Sequence, residues 1–318
     1  MKSPIIVDLK FPPDAVSKAL ARAFPGREVI NMADPAHAGR DLSGIEYALV
    51  WKQDPTLFDR ATGVKAIFSG GAGVDHILRV GGLPEHVPLV RFVDRSLTDR
   101  MSEWVVLQCL LHLRQMPAYA RAQSKRHWEE MAQPEARDVT VGVMGLGVLG
   151  QDAARKLKVM GFHVVGWSRS AKAIEGMQTF DGDGLNDFLT QTDILVGLLP
   201  LTAETRGIYN GALFARLRQG GALGKPVFIN AGRGGSQVEA DILAALNDGT
   251  LGGASLDVFE TEPLSPESAL WTEPNVIITP HAAAASDVVA LMRHVEAQIA
   301  RHESGLPLEH VVDRTLGY

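Results

Sequence analysis

The chain has one cysteine in 318 residues, Cys109, so it can form neither an intrachain disulfide nor a cysteine metal cluster. Cys109 sits in the apolar run of residues 105–111 and reads as a small buried hydrophobe. No run approaches the ~20 apolar residues that a membrane span needs. The opening apolar stretch Ile5-Ile6-Val7 is too short for a signal peptide and is broken by Asp8, so the default expectation is a cytoplasmic protein. Positive charge is not concentrated anywhere: 31 Lys and Arg against 37 Asp and Glu leave a net charge of −6, without a basic stripe. That balance disfavours nucleic acid as a partner. His112, His127, His281 and His294 lack convincing metal-ligand spacing, and no metal site is expected.

What is present is ample apolar material in short runs. At roughly 150 residues per domain the length suggests two domains. Residues 5–9, 47–51, 66–68 and 89–93 are strand-like, with helical stretches such as 14–24 between them. The same alternation restarts after Asp138, with strands over 139–144, 163–167, 194–199, 227–229, 254–258 and 276–279 and a helix over 149–160. Strands alternating with helices imply parallel sheets. The expected fold is α/β, with two Rossmann-like or flavodoxin-like parallel-sheet domains and a cleft between them. Between the two series lies a helical segment, 98–115, whose Met101, Trp104, Val105, Leu107, Leu110, Leu111 and Leu113 wrap most of its circumference, and which Pro117 then breaks. So much apolar surface predicts burial in a core or in a homodimer interface. A last helix over 286–302 is expected to pack back on the first series. The domains are then 1–97 plus 286–318, and 98–285.

The sharpest local signal is Gly145-Leu146-Gly147-Val148-Leu149-Gly150, which follows one predicted strand and opens a helix. In that context G-x-G-x-x-G is a dinucleotide fingerprint: glycines allow a tight turn and close approach to a pyrophosphate, and the helix supplies free N–H groups. Sites for NAD place Asp or Glu at the end of the next strand to hold the ribose 2′-hydroxyl. Here that strand ends in Ser168-Arg169-Ser170, followed by Lys172. Two hydroxyls and a guanidinium suit a 2′-phosphate, which favours NADPH over NADH; the alternative is an exposed arginine in a polar loop, with NAD still open as cofactor.

Three further segments fall at predicted strand ends, where open α/β sheets bind ligands. They are Asn230-Ala231-Gly232-Arg233-Gly234, Asp257-Val258-Phe259-Glu260-Thr261-Glu262-Pro263-Leu264, and Thr279-Pro280-His281-Ala282-Ala283. The planar fork of an arginine in the first suits a carboxylate and a neighbouring carbonyl. Together the three segments resemble the D-isomer-specific 2-hydroxyacid dehydrogenase family. Leu199-Pro200-Leu201-Thr202 with Thr205-Arg206-Gly207 resembles its cofactor-side loop, and Ser69-Gly70-Gly71-Ala72-Gly73-Val74-Asp75 its substrate loop. Trp167-Ser168-Arg169-Ser170, the Gly-Ala-Gly-Val-Asp loop and the closing Val312-Asp313-Arg314 with Gly317-Tyr318 are most similar to the glyoxylate/hydroxypyruvate reductase A branch.

The resemblance implies hydride exchange between a nicotinamide cofactor and a small 2-keto or 2-hydroxy acid, with 98–285 the dinucleotide-binding domain and the remainder the substrate domain. It implies that Arg233 binds the substrate carboxylate and polarises the keto oxygen. His281 would exchange the proton, and Glu262 would orient its ring and stabilise the imidazolium. Asp257 would anchor the nicotinamide carboxamide, beside Leu199, Pro200, Thr205, Ala231 and Gly232 on the cofactor side. The N–H groups of Ala72 and Gly73 would hold the substrate carboxylate. Trp51 either walls the pocket or packs in the core. A homodimer is implied as partner. Two departures from the family pattern bear on local geometry: Gly232 replaces the usual Ala before the arginine, and the loop of residues 219–226 is longer than usual. Other readings are a different 2-hydroxyacid dehydrogenase, such as a phosphoglycerate dehydrogenase, or a nucleotide-sensing binding protein on the same fold.

Overall fold

A computed structural model of the chain, describing residues 2–20 and 22–318, divides into two compact units. One comprises the chain up to Leu97 together with Ser286–Tyr318, and the other is Thr98–Ala285.

The first unit is a parallel sheet built from β1 (Ile5–Leu9), β2 (Val29–Asn31), β3 (Tyr47–Trp51), β4 (Ala66–Ser69) and β5 (Leu89–Val90). The strand order is β2-β1-β3-β4-β5, the flavodoxin-like arrangement. Every residue of β1 and β4 is buried, because helices cover both faces. Among them are α1 (Pro13–Leu20), α2 (Leu57–Arg60) and α3 (Asp75–Val80).

The second unit holds β6 (Thr140–Met144), β7 (His163–Trp167), β8 (Gln178–Phe180), β9 (Ile194–Gly197), β10 (Val227–Asn230), β11 (Gly253–Leu256) and β12 (Val276–Ile278). They run parallel in the order β12-β11-β10-β9-β6-β7-β8, the doubly wound topology whose switch point lies between β6 and β9. Alternate residues feed two cores: Val141, Val143, Ile194, Val196, Val227 and Ile229 face one side, whereas Met144, Leu195 and Phe228 face the other. The first core is closed by α4 (Arg95–Leu113) and α6 (Val148–Val159), with α5 (Met116–Ser124) following α4; the second by α7 (Leu185–Leu189), α8 (Gly211–Phe214) and α9 (Glu239–Asn247). The last helix, α10 (Val288–Glu303), returns to the first unit. There Arg27 is clamped by Glu296 at 3.1 Å and by Glu303 at 2.9 Å, and lies over the Tyr47 ring.

The sequence pattern locates the buried strands and misses β2 and β8. Both are three-residue edge strands, too short and too polar to register as apolar runs. The strand expected over 89–93 is paired only over Leu89–Val90. Pro117 does not simply end a helix. It stands in the first turn of α5, where a missing N–H costs nothing. The reading of residues 98–115 also needs correction. Met101, Trp104, Val105 and Leu113 enter the core of the second unit, but Leu107 stands 50% exposed, and the polar Ser102, Gln108 and His112 are buried instead. Ser102 donates to Asp152 at 2.6 Å, and the His112 ring meets the Ser255 hydroxyl at 2.9 Å. Gly253 makes room for that ring, since a Cβ there would lie 3.0 Å from His112 Cε1.

Burial pushes the His112 imidazole down from 6.5 to about 4. An unfolded chain therefore takes up a proton near pH 6.5 that the folded chain refuses until about pH 4. The stability this neutral ring contributes is complete above pH 6.5 and is lost on acidification, up to roughly 3 kcal/mol. Urea unfolding of wild type and His112→Gln checks this. The stability difference between them should move by about 2–3 kcal/mol in favour of the variant between pH 7.5 and 4.5. A pH-independent difference would contradict it.

Candidate active site

The glycine-rich turn follows β6 at the carboxyl edge of its sheet, at the switch point. Gly145 has φ +115°, and a Cβ there would come 2.7 Å from the Leu198 carbonyl, so this position demands glycine. Gly147 caps α6 with extended backbone, and nothing lies within 4 Å of where its Cβ would be. The turn is thus open on the side where the first N–H groups of α6 emerge unpaired. Leu146 is buried, Val148 exposed, Leu149 half-buried and Gly150 buried, so the turn presents backbone rather than side chains. Its character fits a pyrophosphate.

At the end of β7, Ser168 is buried and donates from Oγ to the Ser170 carbonyl at 2.8 Å. Arg169 is exposed and pairs with Glu204 at 3.0 Å, a partner the sequence pattern did not suggest. Lys172 reaches back to the Leu146 carbonyl at 2.8 Å. After β9, the loop from Leu199 is closed by Thr205, whose hydroxyl donates to the Pro200 carbonyl at 2.6 Å and accepts from Thr202 N–H at 2.8 Å.

Arg233 follows β10 on a loop held by buried polar groups. Asn230 accepts from Gly232 N–H at 3.0 Å and donates to Gln237 Oε1 at 2.8 Å, and Gln237 donates to the Val258 carbonyl at 2.9 Å. Ala231 and Gly232 are buried. Gly234 lies directly against Phe259, and a Cβ at this position would overlap the Phe259 backbone. These contacts press the Arg233 loop onto the loop that carries Asp257 and Glu262.

Asp257 is 1% exposed. Its Oδ1 accepts from the Thr279 hydroxyl at 2.5 Å, from Ala282 N–H at 2.8 Å and from Ala283 N–H at 3.0 Å; Oδ2 accepts from Ala283 N–H at 3.0 Å. Its carbonyl accepts from His281 N–H at 2.7 Å. The carboxylate thus pins both sides of His281, whose φ of +51° is left-handed, an unfavourable state for a histidine. With the backbone so held, His281 Nδ1 meets Glu262 Oε2 at 2.8 Å, and Glu262 Oε1 accepts from Phe259 N–H at 3.1 Å. A ring that gives Nδ1–H to a carboxylate keeps Nε2 for another partner. Arg233, Glu262, His281 and Asp257 are therefore gathered on three interlocked loops.

The first unit carries the remaining predicted residues on the carboxyl edge of its own sheet. Trp51 ends β3; its ring lies 3.7 Å from that of His76 and 5.8 Å from that of Phe11, centroid to centroid. Gly70 passes beneath it, where a Cβ would come 3.0 Å from Trp51 Cβ. Ser69 accepts from Gly71 N–H at 3.2 Å and donates to the Gly73 carbonyl at 3.3 Å. The N–H groups of Ala72 and Gly73 have no acceptor among the described residues.

Residues 106–283 match the family model described as D-isomer specific 2-hydroxyacid dehydrogenase, NAD binding domain, which is more than half of the chain. The chain belongs to this family. Among its relatives is a glyoxylate/hydroxypyruvate reductase A of Enterobacter sp. (strain 638), 40% identical over 94% of this chain and 95% of the relative. Two solved structures each superpose with a TM-score of 0.97 over the whole of both chains. One is an NADPH-dependent glyoxylate/hydroxypyruvate reductase from Sinorhizobium meliloti in complex with NADP and sulfate, 69% identical. The other is a probable 2-hydroxyacid dehydrogenase from Rhizobium etli CFN 42 in complex with NADP, HEPES and L(+)-tartaric acid, 61% identical.

Within this dehydrogenase family, the chain's two departures have structural explanations. A Cβ at Gly232 would come 2.9 Å from the Leu199 carbonyl oxygen, so glycine lets the loops after β9 and β10 approach closely. The long loop of residues 219–226 folds on itself through Gly220 and Gly224 and enters β10 at its amino end, a strand's length from Arg233. The residues that sequence reasoning missed are the supports: Asn230, Gln237, Thr279 and the clamp role of Asp257. Asn230 closing an apolar strand was the one visible signal, since a buried amide demands partners.

Proposed function

We propose that this chain reduces a small 2-keto acid, glyoxylate or hydroxypyruvate, to the 2-hydroxy acid with NADPH. The observation that carries the reading is the His281–Glu262 pair at 2.8 Å, held on the same interlocked loops as Arg233. A proton donor with a charge partner, beside a guanidinium on a dinucleotide fold, suits delivery of a proton to an oxygen that gains charge. The relatives named for glyoxylate and hydroxypyruvate, and the Sinorhizobium reductase solved with NADP, support the substrate class and the cofactor.

The backbone of residues 145–150 would hold the cofactor's pyrophosphate, and Ser168, Arg169 and Ser170 its 2′-phosphate. Leu199, Pro200, Thr205, Ala231 and Gly232 would border the remainder. Asp257 Oδ2, with a single protein donor, retains capacity for a carboxamide. The bound nicotinamide supplies the hydride. Residues 98–285 thus form the dinucleotide-binding domain, and 1–97 with 286–318 the substrate domain. Arg233 grips the carboxylate and polarises the keto carbonyl, the N–H groups of Ala72 and Gly73 hold the carboxylate, and Trp51 walls the substrate side. His281 Nε2 gives its proton to the carbonyl oxygen, while Glu262 keeps Nδ1–H in place and stabilises the cation beforehand. Oxidation of the 2-hydroxy acid runs the same transfer backwards and needs neutral His281.

Arg169 would exchange Glu204 for the 2′-phosphate, at little cost because an exposed ion pair contributes only about 0–1 kcal/mol. Losing a charge-assisted hydrogen bond of about 1.5–3 kcal/mol should lower kcat/KM for NADPH about 10- to 100-fold in Arg169→Ala. NADH use should change little; equal loss with both cofactors would remove Arg169 from the phosphate site.

His281→Ala should cost about 10²–10⁴-fold in kcat, with the KM for NADPH little changed. Glu262→Gln, which leaves the ring without its carboxylate partner, should lower kcat as well. An unchanged kcat in Glu262→Gln would exclude Glu262 from this role.

Assembly as a homodimer through residues 98–115 is part of the reading, supported by the half-exposed Leu107 on α4 and Met116 at the start of α5. Light scattering at micromolar concentration should give twice the chain mass. The mass of a single chain would contradict it.

A further inference from the structure

Burial perturbs Arg27 and Arg91 of the first unit, and the two are treated differently. Arg27 has both a cation–π partner and two carboxylates, Glu296 and Glu303. Arg91 is half-buried and has neither: its side chain makes no hydrogen bond and no ion pair among the described residues. Burial alone pushes its guanidinium below the ordinary arginine value, with no compensating carboxylate. A half-buried, unpaired charge costs stability, and such a group persists where something outside the protein completes it.

Its position says what that partner is. Arg91 directly follows β5, on the carboxyl edge of the sheet, next to the loop that follows β4. Phe92 N–H donates to the Gly71 carbonyl at 3.2 Å, and Arg91 N–H to the His310 carbonyl at 3.1 Å, so the backbone on both sides of the guanidinium is fixed. The peptide after Arg91 is thereby stitched to the loop whose Ala72 and Gly73 N–H groups lack acceptors. Two neutral donors and one permanent cation share one stretch of sheet edge. Backbone N–H groups alone bind any hydrogen-bond acceptor, whereas a planar guanidinium prefers a carboxylate.

We propose that Arg91 is a specificity-determining residue that binds the carboxylate of the 2-keto acid from the first unit, together with the N–H groups of Ala72 and Gly73. This rests on the keto-acid reductase reading above. Arg91 would select carboxylate-bearing carbonyls over neutral ones and would not take part in proton transfer. Its removal should therefore appear in KM rather than kcat.

The test uses Arg91→Gln and Arg91→Lys in the full-length protein. Thermal unfolding comes first. Because the guanidinium has no partner among the described residues, Arg91→Gln should melt no lower than wild type, and a drop of more than several degrees would overturn the premise. Calorimetric titration of the NADP⁺-loaded protein with oxalate, an inert two-carbon dicarboxylate, then reads the site without turnover. Arg91→Gln should weaken oxalate binding and raise the glyoxylate KM about 10-fold or more, the loss of one charge-assisted contact, with kcat and the NADPH KM within about threefold of wild type. Arg91→Lys should recover most of the oxalate affinity. KM for glycolaldehyde, which has no carboxylate, should not change. Oxalate affinity in Arg91→Gln within twofold of wild type would overturn the assignment. If wild type binds oxalate through Arg91 but reduces no keto acid, the proposed reaction falls and the carboxylate site stands.

Discussion

The buried carboxylate of Asp257 decides where His281 stands. It gathers the Thr279 hydroxyl and the N–H groups of Ala282 and Ala283, while its own carbonyl takes His281 N–H. These bonds brace a histidine at φ +51° from both sides. Charge-assisted hydrogen bonds are among the stronger interactions available to a fold, and the Thr279 hydroxyl and two backbone N–H groups converge on one side chain here. The unfavourable backbone at His281 is thus balanced next door, and the imidazole is delivered to Glu262 as a consequence of loop geometry.

The second constraint is steric. Gly234 leaves no gap to the Phe259 backbone, so the loop bearing Arg233 and the loop bearing Glu262 cannot separate without breaking a packed contact. Gln237 spans the same junction by hydrogen bonds. Groups proposed to bind a carboxylate and to deliver a proton must keep a fixed spacing, because small displacements of reacting groups are costly in rate. The site draws that rigidity from backbone and buried amides.

Much of this was legible in the sequence, and the reasons differ by residue. Largely apolar runs such as those of β1, β6 and β9 mark strands buried on both faces, and the glycine turn after β6 marks itself by spacing. Arg233, Glu262 and His281 stood in motifs with distinctive neighbours. By contrast β2 and β8 are too short to show a period, and the face of α4 cannot be read from apolar residues alone when Ser102 and His112 take buried positions by finding partners far away in sequence and Gln108 is buried beside them. Arg169 was legible as a cation, but its pairing with Glu204, 35 residues on, was not. Arg91 was silent in the sequence for the opposite reason: what distinguishes it is the lack of a partner among the described residues, which only three dimensions can reveal.

Proton transfer at this site depends most on which ring nitrogen of His281 faces away from Glu262. Nδ1 faces Glu262, so the neutral ring should be the Nδ1–H tautomer, the less usual form for an unconstrained histidine, and Nε2 should be the nitrogen that gains and loses the proton. Nitrogen-15 NMR of the protein labelled in its imidazoles, with His281 assigned by comparison with His281→Gln, reads this directly. The expected result at high pH is a protonated Nδ1 beside an unprotonated Nε2. A neutral His281 carrying its proton on Nε2 would contradict the account.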